Sequence, residues 1–101
     1  MRYDKLVRDK IPEIIRYDGK TPKIHLADTN EYWEKLKEKL VEEAEEFYKS
    51  SNNEELSDIL EVIYSICCFK KISLDEIEKI RIEKAEKRGG FKKRIILEEV
   101  T

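Results

Sequence analysis

"LVEEAEEFYKSSNNEELSDIL", residues 40–60, carries two helical patterns separated by a polar break. Before the break, Leu40, Ala44 and Phe47 continue a spacing of three and four that begins at Trp33 and Leu36. At 100° per residue these five side chains form one apolar stripe. After the break, "LEVIYSICCF", residues 60–69, is apolar around most of a helix circumference, the mark of a central, covered helix. The connector "SSNN", residues 50–53, is short, so the two helices must lie antiparallel. The pattern predicts one helix from near Asp28 to Lys49 and a second from 53 to 70.

The same stretch places two pairs of acids three apart, Glu43 with Glu46 and Glu55 with Asp58. On the wheel Glu43 sits beside Leu36, at the margin of the apolar stripe, while Glu42 and Glu45 point away from it. Glu55 falls inside the apolar arc of the second helix, and Asp58 at its edge. The first pair ends one helix and the second begins the next, so all four carboxylates converge at one end of the hairpin. Acids gathered at the edge of a core repel one another and require protons or a cation. Oxygen-only ligands suit a hard ion such as Mg²⁺, with Mn²⁺ as a substitute, and Mg²⁺ commonly completes its shell with water and substrate phosphate.

Plainer readings exist for the same residues. Acidic runs on helices are most often solvated faces. Glu54, Glu55 and Asp58 favour the first turns of a helix through its dipole, and Asn52 with Glu55 has the spacing of a capping box. Asp28 with Glu31 and Ser73 with Glu76 repeat that spacing; the last predicts a third helix over 74–88, closed by Gly89 and Gly90 in a left-handed cap. A short element is expected over 9–17, with Pro12 in its first turn, followed by a turn at "YDGKTP", residues 17–22. "KIHLA", residues 23–27, reads as an extended piece, and "KRIILEEV", residues 93–100, as a short strand or an arm. His25 has no second histidine to make a zinc site and reads as a surface residue. Tyr32, Trp33, Phe47 and Tyr48 read as core or interface groups, with one or two available to a nucleobase.

The chain has 101 residues, which predicts a single domain over 1–101. Charged residues make up 44% and hydrophobic residues 40%, and the apolar ones are periodic, so the chain is not of the disordered class. A net charge of -2, from 21 basic and 23 acidic residues, is not the footprint of a nucleic-acid binder. No apolar run approaches the roughly 18 residues of a membrane span, and the N-terminus lacks the apolar segment of a signal peptide. The two cysteines, Cys67 and Cys68, are adjacent and poorly placed to pair with each other, which fits a reducing cytoplasm. The second helix is too apolar for three short helices to cover, so a homodimer or larger assembly is expected.

"KLVEEAEEF" followed by "EELSDIL" resembles the EExxE and ExxD signature of the all-α nucleoside triphosphate pyrophosphohydrolases, the superfamily of MazG, dimeric dUTPases and phosphoribosyl-ATP pyrophosphohydrolase. The flanks "YDKLVRDKIPEII" and "EKRGGFKKRIILEE" resemble a small MazG-like group described as house-cleaning pyrophosphatases of noncanonical nucleotides, and the likeness covers nearly the whole chain. The resemblance implies an all-α MazG-like bundle: an antiparallel helical hairpin, a third helix and short extended termini. It implies that Glu43, Glu46, Glu55 and Asp58 bind Mg²⁺, and that Glu42 and Glu46 take part in catalysis. The spacer of eight residues between Glu46 and Glu55 is shorter than in many MazG proteins, a departure that bears on substrate more than on metal. The implied reaction is hydrolysis of a nucleoside triphosphate between the α and β phosphates to give a monophosphate and pyrophosphate.

That chemistry needs cationic side chains for the remaining phosphate charge. Lys5, Arg8 and Lys10 of "KLVRDK", Lys39 one turn before Glu43, and Arg88 at the end of the third helix are the candidates. Lys39 also has the spacing of an i,i+4 ion pair with Glu43. Two rivals to an enzyme are a non-catalytic nucleotide- or Mg²⁺-sensing domain of the same fold and a dimerisation module whose acids only cap and solubilise.

Overall fold

The structure, a computed structural model, describes residues 4–101; Tyr3, the first residue of the "YDKLVRDKIPEII" flank, lies outside them. Among the described residues four helices follow in order: α1 (Ile11–Tyr17), α2 (Thr29–Ser50), α3 (Asn53–Lys70) and α4 (Leu74–Arg88). The described residues contain no strand, so the all-α expectation holds.

Local chemistry sets these boundaries. The Asp28 carboxylate accepts from the Glu31 N–H at 2.8 Å and starts α2. Ser51 then stops it in the left-handed region (φ 59°), with its N–H on Phe47 O at 2.7 Å. Only Ser51 and Asn52 separate α2 from α3, and this tight turn holds the two helices antiparallel. Lys71 closes α3 in the same way (φ 57°), and Ser73 and Glu76 form a complete capping box at the head of α4. Gly89 ends α4 at φ 83° but with an extended ψ of 172°, so it is a positive-φ stop without the left-handed helical ψ that was expected. Gly19 (φ 81°) turns the chain after α1.

The α2–α3 pair is the one extensive helix–helix contact among the described residues. Its buried apolar centre is Leu36, Val62 and Cys67. Towards the far end of the hairpin Trp33 stacks on Phe69, centroids 4.9 Å apart and rings within 7° of parallel, and Tyr32 meets Phe69 edge-on at 5.8 Å. Ala44, expected in the buried stripe, is exposed. Cys67 and Cys68 are both free thiols.

α4 has no buried residue and leaves the pair after the Lys71 turn. The radius of gyration is 18.0 Å, against about 13 Å for a compact domain of this length. "KRIILEEV" is not a strand: Ile95, Ile96, Leu97 and Val100 are exposed, because the stretch around Ile24 and Leu26, its expected partner, is itself irregular and exposed. It is the arm of the two forms considered. Among the described residues no helix is long and apolar enough to cross a membrane.

Candidate metal centre

The antiparallel pair brings the C-terminal third of α2 against the first turns of α3. Glu43 enters the contact from α2, and Glu55 and Asp58 enter from α3. One carboxylate oxygen from each of these three lies within 4.8 Å of the other two. Such a spacing suits a shared cation and is unfavourable without positive charge.

Glu43 is 6% exposed, the single buried charged residue among the described residues. Lys39 Nζ lies 3.3 Å from its Oε1, and its Oε2 has no hydrogen-bond partner. Glu55 Oε2 is likewise buried and unpartnered. Leaving a buried carboxylate oxygen unmet is expensive. Burial pushes the Glu43 pKa up; Lys39 opposes that rise and the neighbouring Glu46 adds to it. Two orphaned oxygens in an all-carboxylate cluster are chemically compatible with a hard divalent cation, the class to which Mg²⁺ belongs.

Glu46 is exposed and stands beside the cluster, close enough to act on Glu43, but it is not one of the three converging acids. The Asn52 cap did not form: Asn52 makes no side-chain cap bond, and Glu55 holds Asn52 only through its backbone N–H, at 3.1 Å to Asn52 O. The Glu55 side chain instead joins the cluster, and its Oε2 is left bare.

Glu42 lies on the outer rim and is engaged on both oxygens. Lys5 Nζ is 2.9 Å from Oε1 and Lys39 Nζ is 3.3 Å from Oε2. Partial burial pushes its pKa up, but the two lysines together outweigh that and hold it below the ordinary carboxylate value. Lys5 is raised in turn by its hydrogen bond to Glu42. Arg8 Nη2 lies 2.8 Å from Asp58 Oδ1.

A cleft of about 420 Å³ opens from the cluster along the α2–α3 seam. Lys39 and Glu43 line one wall with Leu36 and Tyr32, at successive turns of α2, and Asp58, Val62 and Ser65 line the other. Residues 6–10 form its third side, which brings Arg8 and Lys10 into the cleft. Arg88 is not brought there: it ends α4, which runs away from the pair. His25 is exposed and bonds Glu31 at 2.8 Å, as a surface residue would.

Sequence reasoning missed Glu61, one turn beyond Asp58 on the cleft wall, although the wheel would have found it. It also missed Lys35, whose Nζ donates to Asp4 O at 2.8 Å and ties α2 to the first described residue. Nothing in the local sequence signals that contact.

No family model matches the chain. An uncharacterised protein of Mycolicibacterium smegmatis is 52% identical over 42 residues, which are 42% of this chain and 43% of that protein. The likeness thus spans less than half of the relative's length and carries no activity with it. No solved structure matches the fold.

Proposed function

We propose that the protein is a Mg²⁺-dependent nucleoside triphosphate pyrophosphohydrolase of the MazG-like kind, cleaving between the α and β phosphates, with noncanonical nucleotides as its substrates. The observation that carries the proposal is that Glu43 and Glu55 each keep a buried Oε2 without a partner, while one carboxylate oxygen from each of them and from Asp58 converge within 4.8 Å. The resemblance of residues 40–60 and of both flanks to that superfamily supports the same reading.

Glu43, Glu55 and Asp58 would hold the ion, with Glu46 alongside. A bound Mg²⁺ supplies neutralisation of phosphate charge and a more acidic water. The chain's own residues do the rest. Lys10 and Arg8, which line the third side of the cleft, would take phosphate oxygens, and Lys39 would add positive charge at the cluster. Glu42 is held ionised by Lys5 and Lys39; freed from Lys5, its Oε1 can accept a proton from attacking water. Tyr32, which lines the cleft, would meet a base.

The working form is proposed to be a homodimer or larger assembly in the cytoplasm. Leu56, Leu60 and Tyr64 form an exposed apolar stripe on α3, each between 45% and 50% exposed. An elongated monomer with so small a core gains from a second copy laid on that face.

The test is pyrophosphate release from ordinary and modified nucleoside triphosphates, with Mg²⁺ or with EDTA. Metal-dependent release that disappears in Asp58→Asn is the expected result. One observation favours a second reading: Glu42, the candidate base, has both oxygens occupied. In that case the domain senses Mg²⁺–nucleotide without hydrolysing it, and the same assay would find binding and no pyrophosphate.

A further inference from the structure

We propose that the N-terminal arm, residues 4–10, and a divalent cation compete for the acidic cluster, with Arg8 as the group that the ion displaces. Asp58 is the point of conflict. Its carboxylate belongs to the three that converge within 4.8 Å, and its Oδ1 already accepts from the Arg8 guanidinium at 2.8 Å. A cation drawing on that carboxylate takes electron density that the guanidinium now uses, and sets two positive centres side by side.

The arm holds to the helices by polar ties reached from far along the chain. Arg8 meets Asp58 across 50 residues and Lys5 meets Glu42 across 37. Lys35 adds one hydrogen bond to Asp4 O. The Arg8 and Lys5 side chains are 57% and 43% exposed, so each pair is a surface ion pair of modest strength. A dication that meets several converging carboxylates, two with a bare buried oxygen, has more to gain than either pair has to lose. Lys39 differs from Arg8, because it sits on the same helix as Glu42 and Glu43 and keeps its place when Arg8 is displaced.

The displacement also opens the cleft. Residues 6–10 make its third side, with half-buried Leu6 against the seam. Once Arg8 leaves Asp58, the stretch around it loses its tie to the cluster, while the Lys5 pair with Glu42 and the Lys35 bond to Asp4 still hold the arm's beginning. The space beside the ion opens there and the guanidinium is freed. In the cation-free state the arm serves as counter-ion to the acids and as a strap over the site, which is a reason for the cluster "KLVRDK" beyond solubility.

The inference rests on the cation half of the proposed function and not on hydrolysis. Its test is Mn²⁺ binding to the full chain, followed by the electron paramagnetic resonance of the free ion, in wild type, Arg8→Ala, Arg8→Lys and Asp58→Asn. Arg81→Ala, which removes an arginine paired with Glu78 on α4, controls for overall charge. Removing the competitor is expected to tighten Mn²⁺ binding about two- to ten-fold in Arg8→Ala, the span set by one surface ion pair plus the relieved repulsion. Arg8→Lys should fall between Arg8→Ala and wild type, and Arg81→Ala should match wild type. Mn²⁺ affinity in Arg8→Ala that is equal to or weaker than wild type overturns the competition. If Asp58→Asn still weakens binding in that case, the cation site stands and only the arm's role falls. Absence of Mn²⁺ binding in wild type and Arg8→Ala alike overturns both.

Discussion

Lys39 Nζ holds one oxygen of Glu43 at 3.3 Å and leaves the other without a partner. Half of a buried carboxylate is therefore met and half is not, and its pKa is raised by burial despite the lysine. The folded protein keeps a proton on Glu43 to higher pH than the unfolded chain does. Stability from this group is full below the ordinary carboxylate pKa and falls as pH rises through the raised value. Glu42 has the opposite sign: its contribution is present above the ordinary value and is lost as pH falls through its lowered pKa. Glu43→Gln removes only the first effect. In EDTA at pH 7 it is expected to stabilise the protein by about 1 kcal/mol, or roughly 4–8 °C in Tm for a domain of this size. The gain should vanish near pH 4. Thermal unfolding across that pH range decides it, and a variant less stable than wild type at pH 7 would mean that the Lys39 pair outweighs the burial.

A cation that meets the orphaned oxygens binds the folded state alone. Mg²⁺ at a hundred times its Kd should therefore stabilise the protein by about 2.7 kcal/mol, roughly 10–20 °C in Tm, and EDTA should reverse the shift. Glu55→Gln and Asp58→Asn should each lose most of it. Glu78→Gln, whose parent acid is paired with Arg81 on exposed α4, should keep it. A Tm insensitive to Mg²⁺ in wild type would remove the cation from the site.

The hairpin was legible in the sequence because a helix of period 3.6 leaves its stripe in plain view and a short connector permits one geometry. α3 runs from Asn53 to Lys70, as its apolar arc requires. The inward placement of Glu43 and Glu55 was legible for the same reason, since the wheel put both against apolar neighbours. Spacing alone misjudged Asn52, because a capping box and an inward-turned acid both need Glu at the third position, and the cluster claimed Glu55. Arg88 was a candidate only as a cation at the end of the third helix; α4 carries no buried residue to draw it to the site. The basic cluster of the arm was legible as a source of site cations, but its pairing was not, since Arg8 and Asp58 meet only through tertiary structure.

The exposed stripe on α3 makes a prediction about assembly. Leu60, 50% exposed, lies between Leu56 and Tyr64 at successive turns. Light scattering at tens of micromolar is expected to give at least twice the 12.1 kDa chain mass for wild type. Leu60→Glu places a charge in the middle of that face and should shift the mass to that of one chain, with helical circular dichroism retained. A wild-type protein that runs as one chain would leave α3 half covered in solution.

The aromatic end of the hairpin offers a direct optical report of its packing. Trp33 is the sole tryptophan of the chain; it stacks on Phe69 at 4.9 Å, and Lys37 Nζ lies 5.2 Å from its ring. Its fluorescence therefore follows the α2–α3 contact and little else. Phe69→Ala removes a half-buried ring from that contact and should cost about 2 kcal/mol, read as a lower urea midpoint of the Trp33 signal. Phe69→Leu keeps most of the apolar burial and loses only the ring–ring term, so about 1 kcal/mol is expected. Lys37→Ala removes an exposed cation–π contact, worth about 0.5–1 kcal/mol. The order of the three losses is the sharper test. If Phe69→Leu cost as much as Phe69→Ala, stacking rather than burial would dominate this end of the pair. If Lys37→Ala cost more than either, the face of Trp33 that Lys37 covers would matter more to the hairpin than the stacked one.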